Sequence, residues 1–179
     1  FDWAATPLGG VESWPQSLRT VVSVVFESTF PMMLAWGPQF IQIYNDPFRP
    51  ILGTTKQNAL GQGTSETFAE AWHIVGPLFA RVMAGQGVGF EDMLVPLDRH
   101  GFLEECYFVY TYTPVRDESG GVGGLLVACT ETTARVLAER RLGALRELAT
   151  ASAQSKHEED AWRSAAEVLA GQGHDLPFA

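Results

Sequence analysis

An α+β fold, with a five-stranded antiparallel sheet and helices packed on one face, follows from three features of this 179-residue chain. Two short β-like runs, Met32–Trp36 and Phe40–Tyr44, stand near the start and are split by Gly37-Pro38. Three longer aromatic and β-branched runs fill Val88 to Glu131. Between these groups the pattern turns helical, and behind the last run Ala, Leu, Arg and Glu take over. Two strands and three more, enclosing helices, make one sheet with helices on one face. An N-terminal helix and a long C-terminal helix flank it.

The first helix is predicted from Ser13 and Gln16, which fit a capping box. Pro15 is tolerated in a first turn, where no N–H partner is needed. Leu18, Val21, Val22, Val25 and Phe26 follow at helical spacing as one apolar stripe. After the two strands, Asn45-Asp46-Pro47 reads as a helix start, with Asp46 as the cap and Gly53 as the stop. Ser65 to Met83 reads as helical, with Gly76-Pro77 breaking or kinking it and Gly85 and Gly87 ending it. The later strands are Phe90–Leu97, Phe102–Val115 and Val122–Cys129. They are punctuated by Asp98-Arg99-His100-Gly101 and by Asp117 to Gly121, both turn compositions.

Twelve basic side chains against twenty-one acidic give a net charge of −9. That balance argues against nucleic acid, whose phosphates demand clustered Lys and Arg. Residues 1–133 carry −8 and residues 134–151 carry +2, so charge and composition change together near residue 133. The expected organisation is an N-terminal capping helix region over 1–29, the main domain over 30–133, a linking helix over 134–154, and the start of a following domain over 155–179. Cys106 and Cys129 are too few for a disulfide framework, which points to a reducing cytoplasmic compartment. The longest uncharged stretch, between Glu27 and Asp46, is interrupted by Pro31, Gly37, Pro38, Gln39 and Gln42. No membrane contact is expected from it, nor does an export leader open the chain. A chain running from Phe1 to Ala179 reads as a piece of a longer parent.

This order of elements, with these residues, resembles a PAS sensor domain. More narrowly, it resembles the N-terminal PAS domain of bacterial multidomain sensor histidine kinases. The stretches that carry the resemblance are TPLGGVESWPQSLRTVVS, FPMMLAWGPQFIQIYNDPFRPILG, ALGQG, AWHIVGPLFARVMAGQG and RHGFLEECYFVYTYTPVRDESGGVGGLLVACTETT, covering Thr6 to Thr133. SKHEEDAWRSAAEVLAGQGHDLPFA in turn resembles the opening of a GAF domain, with Ser155 and Glu158 as a capping box before Ala161, Trp162, Ala165 and Leu169. The resemblance implies a sensory input module of two-component phosphorelay signalling. The histidines at 73, 100, 157 and 174 sit in no phosphoacceptor box, and no kinase glycine box is present. The stretch itself is expected to be non-enzymatic, with the kinase activity in its parent.

PAS domains hold ligands between sheet and helices, so the resemblance also directs attention to that layer. Flavin photosensors of the family carry a reactive Cys on the helical segment, and this sequence has none there. Haem variants use a His on the long helix, where His73 stands before Ile74, Val75 and Leu78. One His carries little ligand specificity, and the polar-face reading of His73 is preferred. The cofactor therefore stays open, with flavin–cysteinyl chemistry and haem disfavoured and no metal expected. Cys106 and Cys129 read as small buried hydrophobes. Glu104 and Glu105 point to opposite strand faces and cannot act together. Phe108, Tyr110 and Tyr112 alternate onto one face, and Trp72, Phe79, Met83, Phe90 and Met93 could close a pocket over it. The alternatives are an ordinary filled core or a small ligand anchored by Tyr110 or Asn45.

Many PAS sensors end in a D-x-T triad that ties the last strand to the output helix. Here Glu131-Thr132-Thr133 takes that place, with Arg135 the nearest candidate partner for the carboxylate and Thr133 a helix cap. Behind it Ala138, Leu142, Leu145, Ala149 and Ser152 alternate four and three apart, a heptad seam. The expectation is a homodimer paired through its terminal helices, with GAF and kinase domains of the same chain downstream. Packing of that seam on its own domain is the alternative. Two rival functions remain: a ligand-free dimerisation and relay module, and a small-molecule enzyme of α+β fold. No acid, base or metal group converges to support the enzyme.

Overall fold

The computed structural model describes residues 1–154 and 157–171. The chain divides into two compact units, the first Phe1–Thr133 and the second beginning at Ala134. In the first unit α1 (Gln16–Glu27) precedes the hairpin of β1 (Met32–Trp36) and β2 (Ile41–Tyr44). The short helices α2 (Arg49–Leu52) and α3 (Thr64–Thr67) and the longer α4 (Trp72–Met83) follow. The rest is strand: β3 (Val88–Leu94), the two-residue pieces β4 (Leu97–Asp98) and β5 (Leu103–Glu104), then β6 (Tyr107–Arg116) and β7 (Val122–Glu131). The five long strands form one antiparallel sheet in the order β2-β1-β7-β6-β3. The first and last strands in sequence are thus neighbours at its centre, with Leu34 opposite Leu126.

Alternation along β1 explains how the sheet is covered. Met33 and Ala35 join the cluster under α2 to α4, whereas Leu34 and Trp36 join Trp14, Leu18 and Val25 on the opposite face. One strand therefore anchors two hydrophobic layers. Leu18 and Val25 of α1 are buried and Val21 and Val22 half-buried, but Phe26 is 55% exposed and lies outside the stripe predicted to end with it.

The predicted Ser13–Gln16 capping box does not form. Ser13 Oγ donates to the Gly10 carbonyl in a preceding 3-10 turn, and Gln16 Nε2 donates to Thr20 Oγ1. Pro15 occupies the cap position and has no side chain to offer. The first turn is satisfied from afar instead: Ser17 N–H and Oγ–H donate to the Glu118 carboxylate at 2.7 and 3.0 Å. An acid in the β6–β7 turn thus caps a helix 101 residues away. Asp46 likewise does not cap; the cap position is Asn45, and Asp46 pairs with Arg49 on the surface.

Helix α4 runs unbroken through Gly76-Pro77, and the interruption falls earlier, between Phe68 and Ala71. Pro77 and His73 are four residues apart on the exposed side, where solvent takes the carbonyl that the proline leaves without a donor. The second unit contains α5 (Thr133–Gln154, its first residue shared with the first unit) and α6 (Glu158–Ala170). Ser155 of the second capping box, and the end of the stretch that resembles a GAF opening, beyond residue 171, lie outside the described residues. No helix among the described residues is long and apolar enough to cross a membrane.

Candidate functional site

Two features stand out in the first unit: a cavity between sheet and helices, and a charged clamp where β7 leaves the sheet. The cavity has a volume of about 60 Å³. Phe79, Phe108, Tyr110 and Tyr112, four of the predicted pocket residues, line it together. Phe79 meets Tyr112 edge-on at 5.2 Å, and Tyr110 stacks on Tyr112 at 4.5 Å. Trp72, Met83 and Met93 pack at the margin of this cluster without lining the cavity. Tyr110 Oη donates to Met93 Sδ. Phe90 touches Tyr110 at 5.5 Å but is 38% exposed at the sheet edge.

Asn45 is not a cavity anchor. Its Nδ2 donates to the Val25, Ser28 and Phe30 carbonyls, and its Oδ1 accepts from Met32 N–H at 3.0 Å. It clips the end of α1 to the start of β1. His73 is exposed and does not line the cavity. Burial pushes the Tyr110 phenol and the Cys129 thiol up to about 12, and the Tyr112 phenol well above its ordinary value. These groups of the cavity wall are therefore held neutral. Among the described residues, no group of three or more His, Cys, Asp or Glu could hold a metal.

At the strand exit, Glu131 takes a partner the sequence reading missed. Arg99 Nη1 and Nη2 donate to its two oxygens at 2.8 and 3.2 Å, and Nη2 also reaches Glu104 Oε2 at 2.9 Å. Arg135, named as partner from sequence, bonds Glu139 one turn on, at 3.1 Å. Thr133 Oγ1 donates to Glu131 at 2.8 Å and accepts from Tyr107 N–H at 2.9 Å. Thr132 N–H donates to the Tyr107 carbonyl, and its hydroxyl donates to Asp92 at 2.7 Å. Asp92 sits in the β3 bulge with φ 49°, which breaks the pairing register between Phe90 and Met93.

Arg99 is only 8% exposed, and it is anchored at both ends. Its carbonyl accepts from Thr54 N–H at 2.8 Å and Thr55 N–H at 3.2 Å, just past α2. This close approach requires Gly53, with φ +62°, because a Cβ there would lie 2.4 Å from Arg99 O. Beside this cluster, burial raises the Cys106 thiol to about 11 even though the Arg99 charge pulls it down. From sequence, Arg99 was one residue of a turn. The available signal was scarcity: six basic residues serve fourteen acids in residues 1–133, and only two of the six, Arg99 and Arg116, stand between the predicted later strands.

Ala138, Leu142, Leu145, Ala149 and Ser152, the predicted seam, are all exposed on α5, Leu142 at 52% and Leu145 at 60%.

A family model described as a PAS fold matches residues 37–137. No curated protein matches. Among solved structures, the Rhodobacter sphaeroides LOV protein is 14% identical, with a TM-score of 0.53, over 89% of this chain and 93% of that one. An RNA-binding Light-Oxygen-Voltage receptor is 18% identical, with a TM-score of 0.52, over 82% of this chain; the match spans 42% of that receptor. The PAS domain of Bordetella pertussis BvgS is 18% identical, with a TM-score of 0.46, over 74% of this chain and 99% of that domain. At these identities the likeness concerns the fold.

Proposed function

The chain belongs to the PAS-fold family, and from that premise we propose that it is the sensory input module of a larger signalling protein. The parent is a cytoplasmic histidine kinase of a two-component system, and the residues after the linking helix open a GAF domain. A change in the cavity passes to α5 through the strand exit. The observation that carries this reading is the shared position of β4. Leu97 lines the cavity, while Arg99, two residues on, grips Glu131 at the start of the output helix. A shift in one wall therefore reaches the exit through a single rigid turn.

The output is a homodimer paired along the exposed α5 seam; the Leu18–Val25 stripe of α1 is spent on the sheet of its own chain. Leu142→Glu with Leu145→Glu is expected to give a monomer by light scattering; an unchanged dimer overturns the pairing. A second reading is favoured by the cavity size. About 60 Å³ falls well below the roughly 300–1,000 Å³ of ordinary ligand pockets, which suits a relay module without a ligand. Mass spectrometry and absorbance of the purified protein separate the two. A retained small molecule supports sensing, and a clean protein whose cavity admits no probe supports the relay.

A further inference from the structure

Three buried side-chain atoms have no hydrogen-bond partner among the described residues, and two of them belong to the exit clamp: Arg99 Nε and Glu104 Oε1. A buried donor and a buried acceptor left unpaired are each costly, so their occurrence together calls for an account. The two side chains already share one bond, from Nη2 to Glu104 Oε2 at 2.9 Å. Arg99 presents the end of its guanidinium, Nη1 and Nη2, to Glu131. The side edge of the same plane, Nε and Nη2, offers an equivalent fork. His100 Nε2, 3.9 Å from Glu104 Oε1, is beyond hydrogen-bond reach and leaves that oxygen available.

We propose that Arg99 is a positioning residue with two stations, a latch between Glu131 and Glu104. In the observed station its end fork holds Glu131, and the exit of β7 is tied to the β4–β5 turn. In the other its side fork closes on Glu104, with Nε bonding Oε1 and Nη2 bonding Oε2. Both unpaired atoms are then satisfied at once, and Glu131 keeps only Thr133. The second station satisfies Nε and Oε1 at the cost of the Glu131 fork, and Glu131, 29% exposed, can take water in its place, which keeps the two arrangements comparable in free energy. Arg99, in the turn, and Glu104, on β5, belong to the same small hairpin, and Glu131 lies on the main sheet. Displacing β4 against β7 therefore changes the distance to Glu131 and not the distance to Glu104. Burial disfavours the Arg99 charge, but its hydrogen bonds to Glu131 and Glu104 more than offset this and keep the guanidinium charged. The latch rests on the relay reading above and specifies its moving part.

The test is done on the full chain without ligand. NMR relaxation dispersion at the Arg99 Nε–H resonance is expected to show exchange on the microsecond-to-millisecond scale. Glu104→Gln, and more strongly Glu104→Ala, remove the second station, so that exchange disappears. Amide exchange at Tyr107 and Thr132 is then expected to slow by about fivefold or more, an ordinary coupling between sites. If Glu104 merely supported Arg99, its loss would loosen the exit and speed those amides, which overturns the latch. A single static Nε–H environment, unchanged by Glu131→Gln, overturns it as well. Neither result bears on whether the cavity binds a ligand, which is measured separately.

Discussion

Phe79→Ala probes the packing of the cavity wall most sharply. Phe79 is 1% exposed, and its ring lies 5.3, 5.4 and 5.2 Å from those of Phe40, Trp72 and Tyr112. Removing the six ring carbons forfeits about 2–3 kcal/mol of transfer free energy. The void left is roughly 100 Å³, which adds about 2.4 kcal/mol at about 24 cal/mol per Å³. The expected loss is about 4–5 kcal/mol, near the top of the usual range for such truncations. Joined to the existing 60 Å³, the enlarged cavity reaches the roughly 150 Å³ that admits benzene. Benzene at a hundred times its Kd then restores about 2.7 kcal/mol. Urea unfolding with and without benzene is the assay, read as a midpoint shift at constant slope. A loss below about 1.5 kcal/mol, or no stabilisation by benzene, would mean that Phe79 does not close this layer as described.

Other outcomes follow from the same geometry. Burial raises Cys106 from 9.0 to about 11 and Cys129 from 9.0 to about 12, and it raises Tyr110 from 10.0 to about 12. Each is held neutral in the fold, so its contribution is whole below the unfolded value and is lost as pH rises through the folded one. Urea stability is accordingly expected to fall between pH 9 and 12, and a rise across that window contradicts the assignment. Gly53→Ala, strained at φ +62° and driven against Arg99 O, should cost about 2–3 kcal/mol. Gly37→Ala, at φ +73° with open space around it, should cost less; equal losses in thermal unfolding would remove the close approach from the account.

What the sequence disclosed, and what it hid, divides along contact range. The five long strands were legible because their alternation is local, with Phe108, Tyr110 and Tyr112 on one face and Val109 on the other. The α1 cap was misread because Ser13-x-x-Gln16 is a local pattern, while the acid that serves the helix comes from Glu118 across the sheet. Asn45 illustrates the same limit. A polar residue after a strand suggested a ligand anchor, but its amide is spent on three carbonyls of the neighbouring loop. Gly76-Pro77 reads as a break or kink because propensity ignores which face a proline occupies, and α4 runs through it on its exposed side. At the exit, Glu131 and Thr133 were recognisable from the triad they resemble. Their partner was not, since Arg99 is 32 residues from Glu131 and meets it only through the sheet order.

The claim at the centre of this account is that the cavity wall and the strand exit are joined through Arg99. Hydrogen exchange at the Tyr107 and Thr132 amides tests it, in Phe79→Ala with benzene added and withdrawn, alone and combined with Arg99→Lys. Filling the cavity is expected to change exchange at both amides by about fivefold or more. Lysine cannot form the fork, so the change should vanish in its background. If benzene alters only the cavity wall, or if the change at Tyr107 and Thr132 persists with Lys at position 99, cavity and exit are not coupled through this residue.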